Sequence, residues 1–349
     1  MGVQAKLSQR KNLILRLVIG DYVATATPVS SEAIARKLPV RVSPATVRNE
    51  MAELEEEGYI RRPHISSGGV PSDKGYRYYV EFLVEPSHLS DELKSKVWLQ
   101  LRTADRDPEA WLQTSAQILA KLVQNLVIIT YPQVRESRVQ HIDFAHFQDL
   151  LGLLVLVLQQ PMVRKELVPL KEPMTREEMQ QAANKLSALY TGLTYREIQA
   201  KSVELTPLET QIIAQVLEMM RQQEEAALYE GFIEGFQHLL TQPELTDQQR
   251  LADVAHLLES KRIHQVVATA APDGTTPRVL IGTENHDQDL KSFSLILGRY
   301  GWPGQAMGTL GIVGPTRLDY GRSVAGVRYF SETLGALLEG VRGRPSPSW

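Results

Sequence analysis

The chain has 349 residues, with 38 Lys/Arg against 41 Asp/Glu and no cysteine. Without a thiol there is no disulfide, zinc–thiolate site or cysteine nucleophile, which fits a cytoplasmic protein. No stretch approaches the roughly 20 apolar residues of a membrane span, and the basic N-terminus lacks the apolar run of a signal peptide, so no membrane partner is expected.

At this length two or three domains are expected. Charge is spread unevenly over them. Residues 1–85 hold twelve Lys/Arg and ten Asp/Glu, and the stretch from Ala33 to Asn49 holds four basic residues and no acidic one. Binding to a polyanion would then be local and set by geometry, not by a basic coat.

Ser8 to Thr25 reads as a first helix with Leu13, Ile14, Leu17 and Val18 inward. Pro28 to Leu38 holds a short helix capped by Ser30 or Ser31, packed through Ile34 and Leu38 and ending in Arg36 and Lys37. A connector with Pro39 and Arg41 leads to Ser43, which gives helix–turn–helix spacing. Ser43 is a good N-cap, and Pro44 suits the first helical position, where a missing N–H costs nothing.

The helix that follows buries Val47, Met51 and Leu54 at i, i+4 and i+7. At about 100° per residue, the opposite face carries Ala45, Asn49, Ala52 and Glu56, with Thr46 and Arg48 on its flanks. The N-terminal half of that face suits a major groove. The acidic half (Glu53, Glu55, Glu56, Glu57) must point away from phosphates, so the helix enters N-terminus first. Arg48 can donate two bonds to guanine and Asn49 can pair with adenine, while the Ala45 and Thr46 methyls can touch thymine. Ser43 opens this base-reading set. Tyr59 to Ile65 and Val70 onward can pair as a hairpin wing about Ser66, Ser67, Gly68 and Gly69. Arg61, Arg62, His64, Ser66, Ser67 and Lys74 on the wing, with Arg36, Lys37 and Arg41, are the candidate phosphate contacts.

Residues 86–108 read as a linker with a helix from Asp91 to Arg102, packed through Trp98. Trp111 to Ile128 reads as a long amphipathic helix. Strand signals at Ser137–Phe147, Leu150–Gln159 and Val163–Leu170 suggest an antiparallel meander. Helical patterns follow at Met174–Tyr190, Thr206–Gln223, Ala226–Leu240 and Asp247–Lys261. Strand signals return at Gln265–Ala270, Val279–Thr283, Ser292–Arg299 and Gly308–Val313, before a last helix from Tyr320 to Leu338. Helices between two strand sets leave two readings, three domains in series or one α+β domain with a helical insertion. Two or three strands alone make a poor sheet, which favours insertion.

Enzyme chemistry finds little purchase. His141 and His146 stand five apart on a predicted strand and face opposite sides, so they make no metal pair without a bulge. Gly308-Thr-Leu-Gly311-Ile-Val-Gly314 is followed by Pro315, where a phosphate loop needs lysine. No nucleophile elbow is visible. No catalytic residue, metal or cofactor is expected. Gly282-Thr283-Glu284-Asn285 and Tyr300-Gly301 could line a small-molecule pocket, or form structural turns about a filled core. Asp319 can cap the last helix, and Arg317 beside it suits backbone or carboxylate partners.

Three segments, Leu7–Ser31, Ser43–His64 and Gly68–Val80, resemble the start of the HrcA family of heat-inducible transcription repressors, and Gly311–Phe330 resembles its C-terminal signature. Ser30 stands where that family usually has glycine, and Ile65 and Gly69 where it has threonine and arginine. The resemblance implies an α+β multidomain fold. It has a winged helix-turn-helix DNA-binding domain at 1–85, a GAF-like α+β domain at 109–171 and 246–349, and an inserted helical dimerisation domain at 172–245. It further implies a homodimeric repressor of chaperone operons on double-stranded DNA, at the inverted-repeat CIRCE operator, with the GroEL chaperonin as a partner. The alternative is a ligand-sensing regulator using the GAF-like pocket.

Overall fold

The computed structural model describes residues 7–64, 67–84, 88–103, 107–134, 137–148, 150–159, 162–227, 231–246, 252, 255–256, 262–302 and 306–341. Contacts divide the chain into two units, one of Met1–Pro132, Gly231–Trp302 and Gly308–Trp349, the other of Gln133–Glu230 and Pro303–Met307. The fold is mixed α/β, and among the described residues no helix is long and apolar enough to cross a membrane.

In the first unit, α1 (Gln9–Thr25) starts at Ser8, whose hydroxyl accepts the Lys11 N–H. It buries Ile14, Leu15, Val18 and Ile19, so its inner stripe is turned from the expected one, and Leu13 and Leu17 are half-buried. Helix α2 (Ser31–Lys37) is capped by Ser30, and α3 (Pro44–Glu56) by Ser43. Strands β1 (Ile60–Arg61) and β2 (Val70–Pro71) pair antiparallel, much shorter than the sequence suggests. Val29 and Gly69 exchange two backbone hydrogen bonds of 2.9 Å beside them. Gly69 is closed in. A Cβ there would come within 3.0 Å of the Met51 and Ile60 side chains, so the hairpin base lies directly on α3.

Helix α4 (Asp73–Tyr78) then leads through a wider turn, Tyr79–Leu83, to α5 (Asp91–Thr103). The expected linker is part of the core instead, because Val97 and Leu101 are buried in the hydrophobic cluster that α1 and α3 share. Trp98, the expected anchor, is only half-buried.

Helix α6 (Pro108–Val123) ends at Gln124 in the left-handed region, φ 53°. The helix expected to Ile128 is broken there, and Leu126–Thr130 is strand β3, buried throughout. Leu126 continues the spacing of Ile118 and Leu122, and an apolar run without alternation fits a buried strand and a buried helix equally. In the second unit, β4 (Gln133–Val134), β5 (Val139–Gln148), β6 (Leu151–Leu158) and β7 (Met162–Pro169) precede α7 (Arg176–Tyr190), α8 (Tyr195–Ala200) and α9 (Pro207–Ala227). The first unit resumes at β8 (Gly231–Glu234) and α10 (Phe236–Leu240), where one helix was expected. The helix expected at Asp247–Lys261 falls mostly outside the described residues. Next comes α11 (Arg262–Ala270), in place of the strand expected at Gln265. Its Ile263 and Val267 are buried four apart, a helical spacing hidden by β-branched residues. Strands β9 (Arg278–Ile281), β10 (Phe293–Gly301) and β11 (Ala306–Pro315) and helix α12 (Tyr320–Val341) complete the chain.

The sheet of the first unit runs β8-β3-β11-β10-β9, with β3 antiparallel to β8 and β11 and β9 antiparallel to β10. Both faces are covered. Val127, Ile129, Ile296, Leu310 and Ile312 share a core with α6 and α12, whereas Leu126, Ile128, Leu295, Leu297 and Val313 face α10 and α11. That is why β3 reads as a continuous apolar run.

In the second unit β5-β6-β7 form a separate antiparallel meander. Leu154, Leu156 and Leu158 share a core with Met179, Ala183 and Leu186 of α7 and Ile212, Val216 and Met220 of α9. The meander shares its core with the helices, and by contacts it falls in the same unit, 133–230. The face of β6 that carries Leu154, Leu156 and Leu158 requires the layer that α7 and α9 supply. We expect Leu156→Ala to cost about 2–5 kcal/mol in urea unfolding, the range for emptying a closed leucine site.

Candidate nucleic-acid interface

Helix α3 owes its start to Ser43, extended at φ −66° and ψ 145°, whose Oγ accepts the Thr46 N–H at 3.1 Å. The Ser43 and Thr46 hydroxyls also meet at 2.9 Å. Val47, Met51 and Leu54 are buried as the periodicity demands, and Glu50 is buried beside them. Ala45, Arg48 and Asn49 are exposed, and Thr46 is half-buried. The base-reading candidates thus lie together on the first two turns.

Most of the acidic half of α3 is paired within the unit. Arg10 pairs with Glu50, while Lys11 sits 2.8 Å from Glu53 and 2.7 Å from Glu57. Hydrogen bonds that it donates to Glu53 and Glu57 hold the Lys11 ammonium well above its ordinary pKa. Arg62 lies 3.4 Å from Glu55. The sequence reading did not find these partners, because α1 and α3 are distant in sequence and only a fold aligns them.

The phosphate candidates divide. Arg36, Arg41, Arg61 and His64 are exposed. Lys37 is paired with Asp21, and Lys74 donates to the Glu57 carbonyl at 2.7 Å while lying 4.4 Å above the Tyr59 ring. Ser67 closes the hairpin turn, accepting the His64 N–H at 3.0 Å and donating back to its carbonyl at 2.7 Å. Ser66 lies outside the described residues. Arg48 meets Glu32 of α2 at 3.2 Å, a partner the sequence reading did not assign.

Helix α4 fixes this assembly to the sheet of the same unit. Arg77 grips the Glu284 carboxylate, with Nε at 2.7 Å, and also donates to the Val279 carbonyl at 2.7 Å. Asp73 accepts the Thr283 N–H and hydroxyl, both at 3.0 Å. Between these two contacts the Tyr76 and Tyr320 rings lie 5.6 Å apart, and burial raises both phenols above their ordinary pKa. Arg317, before α12, donates to the Val23 carbonyl of α1 at 2.6 Å and to Glu244 at 2.7 Å, the class of partner expected for it. The Asp319 carboxylate accepts the Arg322 N–H at 3.0 Å, as a cap should.

The loop considered for a pocket is spent on this clamp. Gly282 adopts φ 52°, and a Cβ there would overlap the Asp73 carboxylate. Asn285 is buried and donates to the carbonyls of Gly282, Leu290 and Phe293. The Tyr300 hydroxyl donates to the Thr130 carbonyl.

A capped pair of helices with an outward polar and basic helix start, carried on an α/β body, belongs to the class of transcription regulators. Comparison with known proteins then gives the family. The profile of the HrcA protein C terminal domain matches residues 109–324. The heat-inducible transcription repressor HrcA of Dehalococcoides mccartyi (strain ATCC BAA-2266 / KCTC 15142 / 195) is 35% identical over 97% of this chain and 98% of its own. That of Roseiflexus castenholzii (strain DSM 13941 / HLO8) is 31% identical over 97% and 96%. A crystal structure of a hypothetical protein, 23% identical, shares the fold with a TM-score of 0.58 over 96% of this chain and 99% of that one. The chain belongs to the HrcA family of heat-inducible transcription repressors.

Two substitutions measure the local forces. Ser43→Ala should lower stability by about 1 kcal/mol, the worth of a helix N-cap, in a thermal melt. Arg77→Met should cost about 1.5–3 kcal/mol in urea, because it leaves a half-buried carboxylate without its charged donor.

Proposed function

We propose that residues 1–85 are a winged helix-turn-helix reader and that the protein is a dimeric, sequence-specific repressor acting at inverted-repeat operators of the CIRCE type. The observation that carries this reading is the division of α3. Ala45, Arg48 and Asn49 are exposed with Thr46 on the flank, while Glu50, Glu53 and Glu57 are paired to α1. An outward, capped, uncharged-to-basic helix start is what a major groove admits. In this reading Ala45, Thr46, Arg48 and Asn49 read bases, with Ser43 holding the helix start. Arg36, Arg41, Arg61 and His64 meet phosphates directly, and Lys37, Arg62 and Lys74 do so by exchanging partners.

The second copy is placed at the meander. Only one face of β5-β6-β7 shares the core of α7 and α9. The other carries Ala145–Leu153–Leu167, Asp143–Val155–Lys165 and His141–Val157–Val163 in cross-strand rows. Val163 and Leu167 are exposed, as is Phe147 at the end of β5. An apolar sheet face of this kind fits a second copy related by a two-fold axis, with Asp143 and Lys165 free to exchange partners across it. The body sheet between its helices is the GAF-like domain of the reading. Family resemblance adds GroEL as the partner that sustains repression, and heat as the signal that withdraws it. The ligand-sensing alternative gains no observation, since the residues considered for its pocket make hydrogen bonds within the fold.

Binding to a CIRCE duplex and to a scrambled duplex over a salt series tests the reader. Arg48→Ala should cost about 1–3 kcal/mol on the operator and much less on scrambled DNA. Arg61→Ala should weaken both and lower the salt slope by about 1. If Arg48→Ala leaves discrimination untouched, the assigned face is wrong. Val155→Asp should convert a dimer to a monomer in sedimentation. An unchanged dimer would remove the meander from the interface.

A further inference from the structure

We infer that Glu32 is a positioning residue for base reading: from the first turn of α2 its carboxylate holds the Arg48 guanidinium on α3 in the orientation used at the operator. The inference rests on the reader proposed above and concerns a residue outside the set assigned to DNA. Arg48 Nη2 donates to Glu32 Oε1 at 3.2 Å, although the Arg48 side chain is 67% exposed and the Glu32 side chain 52%. Each exposed charge has a better-hydrated state to go to, so an ion pair here is weakly held unless one partner is fixed.

Glu32 is placed by the helix that carries it: it stands in the first turn of α2, where the helix N-terminus favours a carboxylate. Hydrogen bonding at that helix start, with Arg48 beside it, holds its carboxyl below the ordinary carboxylate range. Ser30 in turn caps α2, its Oγ accepting the Ala33 N–H at 3.2 Å. The acceptor is therefore built into the start of α2, and α2 packs on α3 through Ile34. An arginine side chain has many rotamers, and confining it before binding lowers the ordering cost at the base edge. A guanidinium has five N–H donors, so one contact to Glu32 leaves enough for a bidentate contact to guanine.

The same carboxylate opposes unspecific binding. A fixed anion beside the helix start repels phosphates on any duplex, and only a duplex that engages Arg48 offsets this. Both effects widen the gap between operator and random DNA. The first strengthens operator binding alone, and the second weakens binding to random DNA.

The test is a double-mutant cycle in the full-length chain, with Glu32→Ala, Arg48→Ala and the pair, on a CIRCE duplex and a scrambled duplex of equal length. Glu32→Ala should reduce the ratio of operator to scrambled affinity by roughly 3- to 10-fold, short of losing the bidentate contact itself. Scrambled-DNA affinity should rise. In the Arg48→Ala background, removing Glu32 should leave the ratio unchanged, and Glu32→Asp in the normal background should restore part of it. A helix-start role alone would act equally in both backgrounds, and Glu32→Gln, of the same size, separates loss of charge from loss of fold. An undiminished ratio in Glu32→Ala or Glu32→Gln, or equal losses in both backgrounds, overturns the inference while leaving the reader intact. If Arg48→Ala itself has no effect on the ratio, the reader falls and the inference with it.

Discussion

Arg10 and Lys11, neighbours on α1, offset the charge of Glu50 and Glu53 on α3 and of Glu57 at its C-cap, and the proposed use of that helix depends on it. Four glutamates in the second half of a helix make a poor partner for a polyphosphate. Exposed ion pairs contribute little to stability, at most about 1 kcal/mol each. Their effect here is on the field. Lys11 is 16% exposed and Glu50 11%, whereas Glu53 and Glu57 stay exposed, so the ion pairs weaken the field of the acidic half without burying it. A groove-reading helix can then be half acidic without being repelled.

The same unit shows how the proposed reader is carried. Asp73, Tyr76 and Arg77 all stand on the short helix α4, and all three reach residues of the sheet side, Thr283, Tyr320 and Glu284. Arg317 adds a contact from the start of α12 to the end of α1. A domain on a flexible linker would show none of this. Val97 and Leu101 of α5 fill core positions as well, so the segment that composition marks as a spacer is structural. Movement at the β9 end of the sheet would be felt by α4 first and by the hairpin base next, since Ser72 donates to the Gly58 carbonyl at 2.6 Å.

Legibility followed the range of the forces involved. The Ser43–Pro44 start, the Val47–Met51–Leu54 stripe and the meander are local patterns, and they were readable one residue at a time. Strand β3 was not, because Leu126 to Ile129 lies between two helical layers and shows no period. Strand β8 reads as helix within Ala226–Leu240 because its alternation spans only Gly231 to Glu234. Partners distant in sequence were invisible: nothing in Glu50 announces Arg10, and nothing in Glu284 announces Arg77. The acid opposite Arg48 had a faint signal, Glu32 two residues after a capping serine. The division of the chain also escaped, since the apolar β6 suits either core until α7 and α9 are known to share it.

That central strand bears on the proposed assembly. On β6, Leu154, Leu156 and Leu158 are buried, while Leu151, Leu153, Val155 and Val157 on the other face are only half-covered. A strand in a three-stranded sheet with one helical layer needs apolar residues on one face only. The second apolar face is a surplus that folding of a single copy does not explain, and a second copy does. The proposed dimer would in turn answer the charge problem. A chain with three more acidic than basic residues holds DNA weakly through one reader, whereas two joined readers make the second contact intramolecular and raise affinity without added charge. On the proposed reading, the acidic balance of the chain and the apolar back of the meander are two sides of one arrangement, with affinity from pairing and sequence selectivity from α3.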